Sequence, residues 1–414
     1  MDPSPLASEL TAELDVRLAD ADRSLLAGYP GERPGRQPVH TVYVPADAFT
    51  DDLAPQWGRR ALSILDDHGR LFEAVVGDPA AAIVSLVRDK LAAEPVEDLR
   101  IDFEDGYGAR PDGEEDEHVA TACAALARAQ ANGTAPPFVG IRFKSLEPPT
   151  RARGLRTLTG FLDGLLGAGG SLDGFVVTLP KVTSVEQVDA MVHAAGRLEG
   201  AFGLPDHRLG FEIQVETPQS ILGPDGTALV ARMIHAGDGR CTALHYGTYD
   251  YSAFCGIAAE YQSMEHPVAD HAKAVMQAAA AGTGVRLSDG STNILPVGDE
   301  DAVRRGWTLH ARLVRRSLER GYYQGWDLHP AQLPTRFAAT YAFYRSGFAR
   351  SAERLHRYLG RSGGGVLDEP ATARALADFV LRGVDCGALG LDEVAAATGL
   401  DEAGLLALAR PTRG

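Results

Sequence analysis

The 414-residue sequence predicts an α/β protein, a (β/α)8 TIM barrel with a helical extension before it and a helical tail after it. Between about residues 40 and 348, short runs of β-branched and aromatic residues alternate with longer runs rich in Ala, Leu and Arg. Eight such units over about 310 residues fit a closed barrel better than an open doubly wound sheet. No Gly-x-Gly-x-x-Gly turn follows a predicted strand, which argues against a dinucleotide-binding fold.

The predicted elements follow one another in a regular order. A helical pattern over residues 6–26 ends at a linker rich in Gly and Pro, so the chain divides into an extension (1–39), the barrel (40–348) and a tail (349–414). The predicted strands span residues 41–44, 99–103, 138–143, 174–179, 209–215, 242–246, 284–287 and 322–328. The tail is predicted to be helical over residues 349–359, 370–382 and 391–409, as a lid or an oligomer contact.

The charge balance excludes two classes of partner. The chain has 40 Lys and Arg against 56 Asp and Glu, a net charge of −16, so it lacks the basic surface that binds nucleic acids or anionic membranes. No run approaches the ~18 apolar residues of a membrane span, and residues 1–15 are acidic, unlike a secretory signal. The four cysteines form no Cys-x-x-Cys pair and suit a reducing compartment. We therefore expect a soluble protein of the cytoplasm.

Alternation along the strands predicts a charged barrel lumen. In the second strand, Leu99 and Ile101 share one face while Arg100 and Asp102 share the other, and the third and fifth strands repeat the arrangement. The apolar faces should lie under the helices, which leaves the charged faces inside the barrel. Because buried ions must be paired or bound, the lumen holds either a charged ligand or a self-satisfied ion network.

The C-terminal ends of the strands, where barrel enzymes carry their active sites, are rich in charge. Several carboxylates without clustered Cys or His favour a hard cation such as Mg2+. The charged candidates at these ends are Glu104, Asp105, Arg142, Lys144, Lys181, Glu216, Asp250 and His329.

Seven motifs at these strand ends resemble the citrate lyase β-subunit and HpcH/HpaI aldolase superfamily. Each motif is weak alone, but together they keep the family's order over about residues 40–335. The motifs are YVP (43–45), DFEDG (102–106), GIR (140–142), LPKV (179–182), VETP (215–218), YGTYD (246–250) and LHPAQ (328–332).

The resemblance implies an enzyme dependent on Mg2+ or Mn2+ that makes or breaks a carbon–carbon bond beside a carbonyl. Its substrate would be a 2-oxo or hydroxy acid or the CoA thioester of one. By the family's pattern, Glu216 and Asp250 bind the metal and Arg142 steadies the enolate oxygen, while Glu104 and Asp105 lie near the metal and its waters.

The resemblance also implies a catalytic acid or base in the tail and further groups that bind the substrate. The segment VLDEP (366–370) is similar to a family segment whose aspartate enters the site, often from a neighbouring subunit, which makes Asp368 the candidate. Lys181 and His329 are candidates for lining the site. Where many relatives have Arg-x-Asn, Lys144 follows Arg142 by two residues, which favours a more anionic substrate.

The same residues have structural alternatives. Glu216 and Asp250 could form ion pairs with Arg100, Arg142 or Lys144. Glu104 and Asp105 could cap the turn that follows them, Lys181 could cap a helix, and His329 could be a packed, hydrogen-bonded ring. Basic residues at 151, 153 and 156 are a candidate phosphate contact or a solvated helix start. We interpret Cys241, Cys255, Trp307 and Trp326 as core residues.

Three other functions remain open. The first is a CoA-independent pyruvate aldolase of the HpcH/HpaI type. The second is a condensing enzyme like malate synthase, which shares the DFED motif and the GW before LHP, although this chain is shorter and lacks the extra domain. The third is a regulatory barrel that binds a metal and an oxo acid without catalysis, since a fold does not fix a function. We also expect a homo-oligomer, as in the resembled families.

Overall fold

Eight parallel strands form a nearly closed barrel in the computed structural model, which describes residues 4–77, 80–360 and 369–411. The strands are β1 (His40–Pro45), β2 (Asp98–Asp102), β3 (Phe138–Arg142), β4 (Phe175–Leu179), β5 (Gly210–Val215), β6 (Cys241–Tyr246), β7 (Arg286–Ser288) and β8 (Gly325–Asp327). Each strand from β1 to β6 pairs with the next in sequence, and β1 also pairs with β8, so the barrel is open only between β7 and β8. Between β7 and β8, the Asp289 N–H donates to the Gln324 carbonyl at 2.8 Å. The predicted (β/α)8 barrel is confirmed.

Sixteen α-helices in the described residues surround and extend the barrel. They are α1 (Ser4–Gly28), α2 (Leu53–Asp67), α3 (Gly69–Val76), α4 (Ala80–Ala93), α5 (Asp112–Asn132), α6 (Arg151–Gly167), α7 (Val185–Phe202), α8 (Pro218–Ile221), α9 (Leu229–Ala236), α10 (Thr248–Phe254), α11 (Pro267–Ala280), α12 (Glu300–Glu319), α13 (Leu333–Gly360), α14 (Pro370–Asp385), α15 (Leu391–Thr398) and α16 (Glu402–Ala409). Three 3-10 turns occupy Ala46–Ala48, Ala259–Tyr261 and Pro330–Gln332.

Helix α7 shows how the sequence sets the bounds of a barrel helix. Ser184 and Gln187 form a capping box at its start, so two backbone N–H groups that lack helical partners are satisfied. At its end Gly203 adopts φ = 64°, a left-handed conformation that glycine reaches without a steric cost. The helix therefore begins directly after the loop that carries Lys181.

The lower lumen contains an ion network whose charged groups pair with one another, which is the second of the two predicted alternatives. Leu99 and Ile101 are buried in the apolar cluster under the helices, as predicted. Arg100 points inward and donates to Glu212 through Nε (2.9 Å) and Nη2 (2.7 Å), and it also donates to Asp98. These pairs leave the lower lumen without a site for a charged ligand, so a ligand site is left to the ends of the barrel.

Trp326 lies in the lumen and not in the apolar core. Its ring is 4.4 Å from that of Tyr43, and its indole N–H donates to His245 Nδ1 at 3.2 Å. The interpretation as a core residue was wrong because side chains alternate along β8, so that Asp327 faces the helices and Trp326 faces the lumen. Trp307 is a core residue, as expected.

The terminal segments differ in how they pack. Helix α1 covers the predicted helix at residues 6–26, and most of its side chains are exposed. Helix α13 runs without interruption across the division placed after residue 348. That division remains a prediction, although one helix crosses it. The predicted helix at residues 391–409 is two helices, α15 and α16, separated at Gly399, which has φ = 78°.

Two further findings concern the whole described chain. The four cysteines are free thiols, and three of them are buried. Within the described ranges, every helix is too short or too polar to cross a membrane.

Candidate active site

The C-terminal ends of β2, β3, β4, β5 and β6 bring six of the predicted site residues to one mouth of the barrel. Loop residues follow β2, β4 and β5, Arg142 ends β3, and Asp250 lies in the first turn of α10 after β6. The six are Glu104, Asp105, Arg142, Lys181, Glu216 and Asp250.

Three carboxylates form a group that could hold a metal ion. Asp105, Glu216 and Asp250 each offer one oxygen, and these oxygens lie within 4.8 Å of one another. Glu216 is fully buried, Asp250 is half-buried and Asp105 is exposed. The structure therefore brings the predicted pair, Glu216 and Asp250, together and adds Asp105 to it. The role of these residues as metal ligands remains a proposal.

Glu216 is held in one orientation by its neighbours. Its two oxygens accept hydrogen bonds from the Lys181 backbone N–H (2.7 Å) and from Gln214 Nε2 (2.6 Å). Lys181 presents this N–H from a left-handed conformation with φ = 51°. Gly247 allows the close approach of β6, because a Cβ there would lie 2.6 Å from the Glu216 Cβ. The glycine of the YGTYD motif is thus required by packing against Glu216.

Burial raises the pKa of Glu216 well above its ordinary value. The Lys181 ammonium opposes this shift, but its Nζ is 3.9 Å from the carboxylate, and Asp250 adds repulsion. The site thus carries more negative charge than the nearby positive charge offsets. A cation bound here would lower the free energy of the ionised carboxylate.

Lys181 lines the site, where its ammonium lies among four carboxylates. Its Nζ is 2.7 Å from Asp105, 3.2 Å from Glu104, 3.7 Å from Asp250 and 3.9 Å from Glu216. The alternative that Lys181 caps a helix does not hold, since Ser184 provides the cap of α7.

Arg142 is both part of a lumen ion pair and a border of the site. Its Nε and Nη2 donate to the two oxygens of Asp102 at 2.7 and 2.6 Å. Its Nη1 points to Gln214 (3.3 Å) and Glu104 (3.5 Å), and the guanidinium lies 4.8 Å from the Tyr43 ring. Burial alone would lower the pKa of Arg142, but attraction by Asp102 raises it well above its ordinary value.

Glu104 contributes to the turn after β2 by accepting the Asp105 N–H at 2.8 Å, but the main cap of this turn is Asp102. It accepts the N–H groups of Glu104 (3.0 Å) and Gly106 (2.9 Å) in addition to Arg142. Sequence reasoning missed this positioning role, although Asp102 shared the inward face of β2 with Arg100. Burial raises the pKa of Glu104 to about 7, which the Arg142 and Lys181 charges oppose.

Three predicted site residues do not join this group. Lys144 donates to the Phe103 carbonyl and to Glu115 of α5, both at 2.7 Å, so its charge is used outside the group. His329 accepts the Ala331 N–H at 3.1 Å, and burial lowers its pKa, which fits the packed-ring alternative. Asp368 lies outside the described residues.

Comparison with solved structures supports the fold. A citrate lyase from Burkholderia xenovorans LB400 is 19% identical and has a TM-score of 0.59, with 90% of this chain and 99% of that chain covered. The magnesium/glyoxylate complex of malate synthase from Haloferax volcanii is 14% identical and has a TM-score of 0.51, with 91% and 99% covered. An HpcH/HpaI aldolase/citrate lyase family protein from Burkholderia cenocepacia J2315 is 18% identical, with 72% and 91% covered, and its TM-score of 0.39 carries no argument.

The first two likenesses bear out the predicted resemblance at the level of the barrel fold. No curated protein matches the chain. Residues 18–413 match the family described as Domain of unknown function (DUF6986).

Proposed function

Because the chain belongs to the DUF6986 family, whose description assigns no reaction, we propose its function from the site itself. The proposal is an Mg2+-dependent carbon–carbon lyase or aldolase that acts through an enolate on a 2-oxo or hydroxy acid or its CoA thioester. One observation carries it: the three carboxylates of Asp105, Glu216 and Asp250 meet at the mouth of the barrel, where the Arg142 guanidinium interacts with Asp105 and Glu216.

The residues present fit a divalent metal ion. All three donors are carboxylate oxygens, which Mg2+ prefers, and burial raises the pKa of the Glu216 carboxylate. When bound, Mg2+ would supply positive charge to the developing enolate and orient a 2-oxo acid through its oxygens.

The protein's own groups have separate tasks in this proposal. Arg142 would bind the enolate oxygen through Nη1, since Nε and Nη2 are already held by Asp102. Gln214 keeps Glu216 oriented, and Lys181 would bind a substrate carboxylate. Asp368 stays our candidate for the group that moves the proton.

Titration calorimetry tests the metal site first. Mg2+ is titrated into wild type and Glu216→Gln, with and without pyruvate, oxaloacetate or glyoxylate. We expect Mg2+ to bind wild type, one oxo acid to bind only with Mg2+, and both to be lost in the variant. The control is Glu260→Gln, an exposed glutamate of a 3-10 turn. Equal Mg2+ binding by Glu216→Gln would contradict the proposal.

A cavity at the same end of the barrel as the site allows the binding of a CoA thioester to be tested. A space of about 600 Å3 between α6 and α7 is lined by Arg151, Ser184 and His193, and its size suits a ligand arm. Arg153 and Arg156 are paired with Asp116, so only Arg151 remains of the predicted phosphate contact. We expect Arg151→Gln, but not Arg156→Gln, to weaken acetyl-CoA binding about tenfold.

The outcome with acetyl-CoA also separates the alternatives. If wild type does not bind acetyl-CoA but turns over an oxo acid, the CoA-independent pyruvate aldolase holds. If product forms from acetyl-CoA and glyoxylate, the protein is a condensing enzyme like malate synthase. Ligand binding without any product would favour the regulatory barrel.

The homo-oligomer also remains a proposal. Light scattering tests it directly, since one chain has a mass of 44.0 kDa. We expect a multiple of that mass, and the mass of a single chain would contradict the proposal.

A further inference from the structure

A second polar cavity lies at the N-terminal end of the barrel, opposite the carboxylate site. This space, the floor cavity, has a volume of about 250 Å3. Arg33 of the linker, Arg208 and Arg286 form its polar walls, and Asp98, Arg100 and Glu212 of the lumen network form its roof. Since active sites of such barrels lie at the other end, the proposed reaction leaves this cavity unused.

The roof carboxylates are already satisfied. Glu212 accepts two hydrogen bonds from Arg100 and one from Thr178, and Asp98 accepts from Arg100 and from Thr41. In the described residues both carboxylates are bonded within the lumen network and form no ion pair with Arg33 or Arg286. Arg100 offsets one of their two negative charges, and the three arginines of the cavity wall outnumber the one that remains.

Arg33 and Arg286 donate hydrogen bonds to backbone carbonyls and form no ion pair within residues 4–77, 80–360 and 369–411. Arg33 donates to the carbonyls of Gly284 (3.1 Å), Gly239 (2.8 Å) and Cys241 (2.9 Å). Arg286 donates to those of Arg36 and Gly35, both at 2.8 Å. Because each guanidinium carries five N–H donors, N–H groups of both remain for a ligand.

The surroundings of Arg286 are strongly positive. Burial, together with the charges of Arg382, Arg410 and Arg33, lowers the pKa of Arg286 to about 10, and Glu32 opposes this shift. Arg208 adds a third cation to the cavity wall, paired with the exposed Asp173 at 3.2 Å. A chain with a net charge of −16 thus gathers positive charge around one cavity.

We propose that the floor cavity binds a small phosphate anion between Arg33 and Arg286. The ligand is inorganic phosphate or the phosphate group of a small metabolite. Guanidinium N–H groups match phosphate oxygens in pairs, and two half-buried arginines suit a doubly charged group. The volume admits phosphate with a few carbon atoms and excludes a nucleotide, since pockets for larger ligands start at roughly 300 Å3.

Calorimetry with inorganic phosphate in Mg2+-free buffer tests the site apart from the proposed reaction. Ionic strength is held constant with chloride. We expect wild type and Arg59→Gln, an exposed control, to bind phosphate alike. Arg286→Gln and Arg33→Gln should lose at least about tenfold in affinity. No binding by wild type, or unchanged binding by both cavity variants, would overturn the proposal.

Three further arms make the result decisive. Glycerol 3-phosphate that binds more tightly than phosphate identifies a metabolite, and equal or weaker binding identifies inorganic phosphate. If AMP binds as tightly as phosphate, the size limit is wrong, and the assignment of the binding site to the floor cavity is wrong with it. Loss of phosphate binding in Arg142→Gln, with Arg286→Gln unaffected, would place the anion at the carboxylate site and refute the proposal.

Arg208→Gln keeps the test valid if Arg33→Gln and Arg286→Gln fail to fold. The Arg33 and Arg286 side chains hold backbone carbonyls, whereas the single ion pair of Arg208 is with an exposed carboxylate. We expect Arg208→Gln to fold and to weaken phosphate binding several-fold. Unchanged affinity in this folded variant would count against the floor cavity.

Discussion

Lys181 determines the charge balance of the candidate site at the scale of single residues. Its ammonium lies within 4 Å of four carboxylates, and its backbone N–H holds Glu216 from a strained, left-handed conformation. The ammonium therefore occupies the place where a divalent cation would gain most. A metal ion bound as we propose would compete with Lys181 for the same oxygens, so the lysine should move when the metal binds.

Replacement of Lys181 tests this competition. We expect Lys181→Met to bind Mg2+ about tenfold more tightly than wild type, because no charge-assisted hydrogen bond to Asp105 has to be broken. Titration calorimetry measures the change. Lys144→Met is the matched control, since Lys144 pairs with Glu115 outside the group. Unchanged or weaker Mg2+ binding by Lys181→Met would show that the lysine does not compete with the metal.

Asp327 joins several elements at the lower end of the barrel. It accepts hydrogen bonds from His40 of β1 (2.9 Å), His310 of α12 (3.0 Å) and Arg336 of α13 (3.0 Å). Burial alone would raise the pKa of Asp327, but Arg336 and the two histidines hold it well below 3.8. One buried carboxylate thus fixes β8 to its neighbouring strand and to two helices.

Removal of this charge should be costly and should change the pH dependence. We expect Asp327→Asn to lower the free energy of unfolding by about 3–5 kcal/mol in urea, since it leaves Arg336 without its buried partner. The exposed Asp301→Asn should have no measurable effect. An effect of Asp327→Asn below about 1 kcal/mol would contradict the assignment.

The pH dependence has a defined sign. The pKa of Asp327 is lowered in the fold, and burial lowers the pKa of His310, so the unfolded chain takes up protons first. The wild type should therefore lose stability as the pH falls below about 6.5, where His310 contributes, and again below about 4, where Asp327 contributes. Asp327→Asn should show a smaller second loss, since Glu97 and Glu212, whose pKa values are also lowered, still contribute. Urea unfolding between pH 7 and 3 measures both.

The contact between α13 and α14 tests whether the tail is part of the barrel unit. A Cβ at Gly347 would lie 2.5 Å from the Phe379 ring, whereas a Cβ at Gly200 of α7 would meet open space. We expect Gly347→Ala to destabilise the protein by about 1–3 kcal/mol and Gly200→Ala to stabilise it by about 0.5–1 kcal/mol. Global urea unfolding measures both. A neutral Gly347→Ala would indicate a tail that unfolds independently.

The sequence predicted the secondary-structure elements better than it predicted which side chains pair with one another. Period-two alternation predicted the inward face of β2, and the charged strand ends predicted which side chains gather at the mouth of the barrel, because both follow from local geometry. Lys144 was expected at the site, but Glu115, 29 residues earlier on α5, pairs with it. The sequence offers no sign of such a pairing, since helix orientation around the barrel decides it. Trp326 was misplaced because its large apolar ring suggested a core position, whereas alternation along β8 turns it towards the lumen.

The two terminal segments contribute unequally to the whole molecule. The leucines of α1 stay about half exposed, whereas the linker after it binds the barrel floor through Arg33 and through Gly31, whose N–H donates to Gly282 at 2.9 Å. The linker, and not the helix, therefore completes the barrel.

Truncation separates these contributions. We expect deletion of residues 1–28 to shift the unfolding temperature by less than about 2 °C, because α1 buries little apolar surface. Deletion of residues 1–36 also removes the Arg33 contacts and should lower it by several degrees. Differential scanning calorimetry compares the two. A large shift after the shorter deletion would mean that α1 packs against the barrel or another chain.

The contacts at the barrel floor also set an order of events during synthesis. Arg410 donates to the carbonyls of Arg33 (3.3 Å) and Gly35 (3.2 Å), and β1 needs β8 beside it. One edge of β1 therefore stays unpaired until β8, at Gly325–Asp327, has left the ribosome. Until then, that edge is open to pairing with other nascent chains. Slow translation of the last hundred residues would lengthen this exposed stage. The need for chaperones should therefore increase as translation of this part of the chain slows.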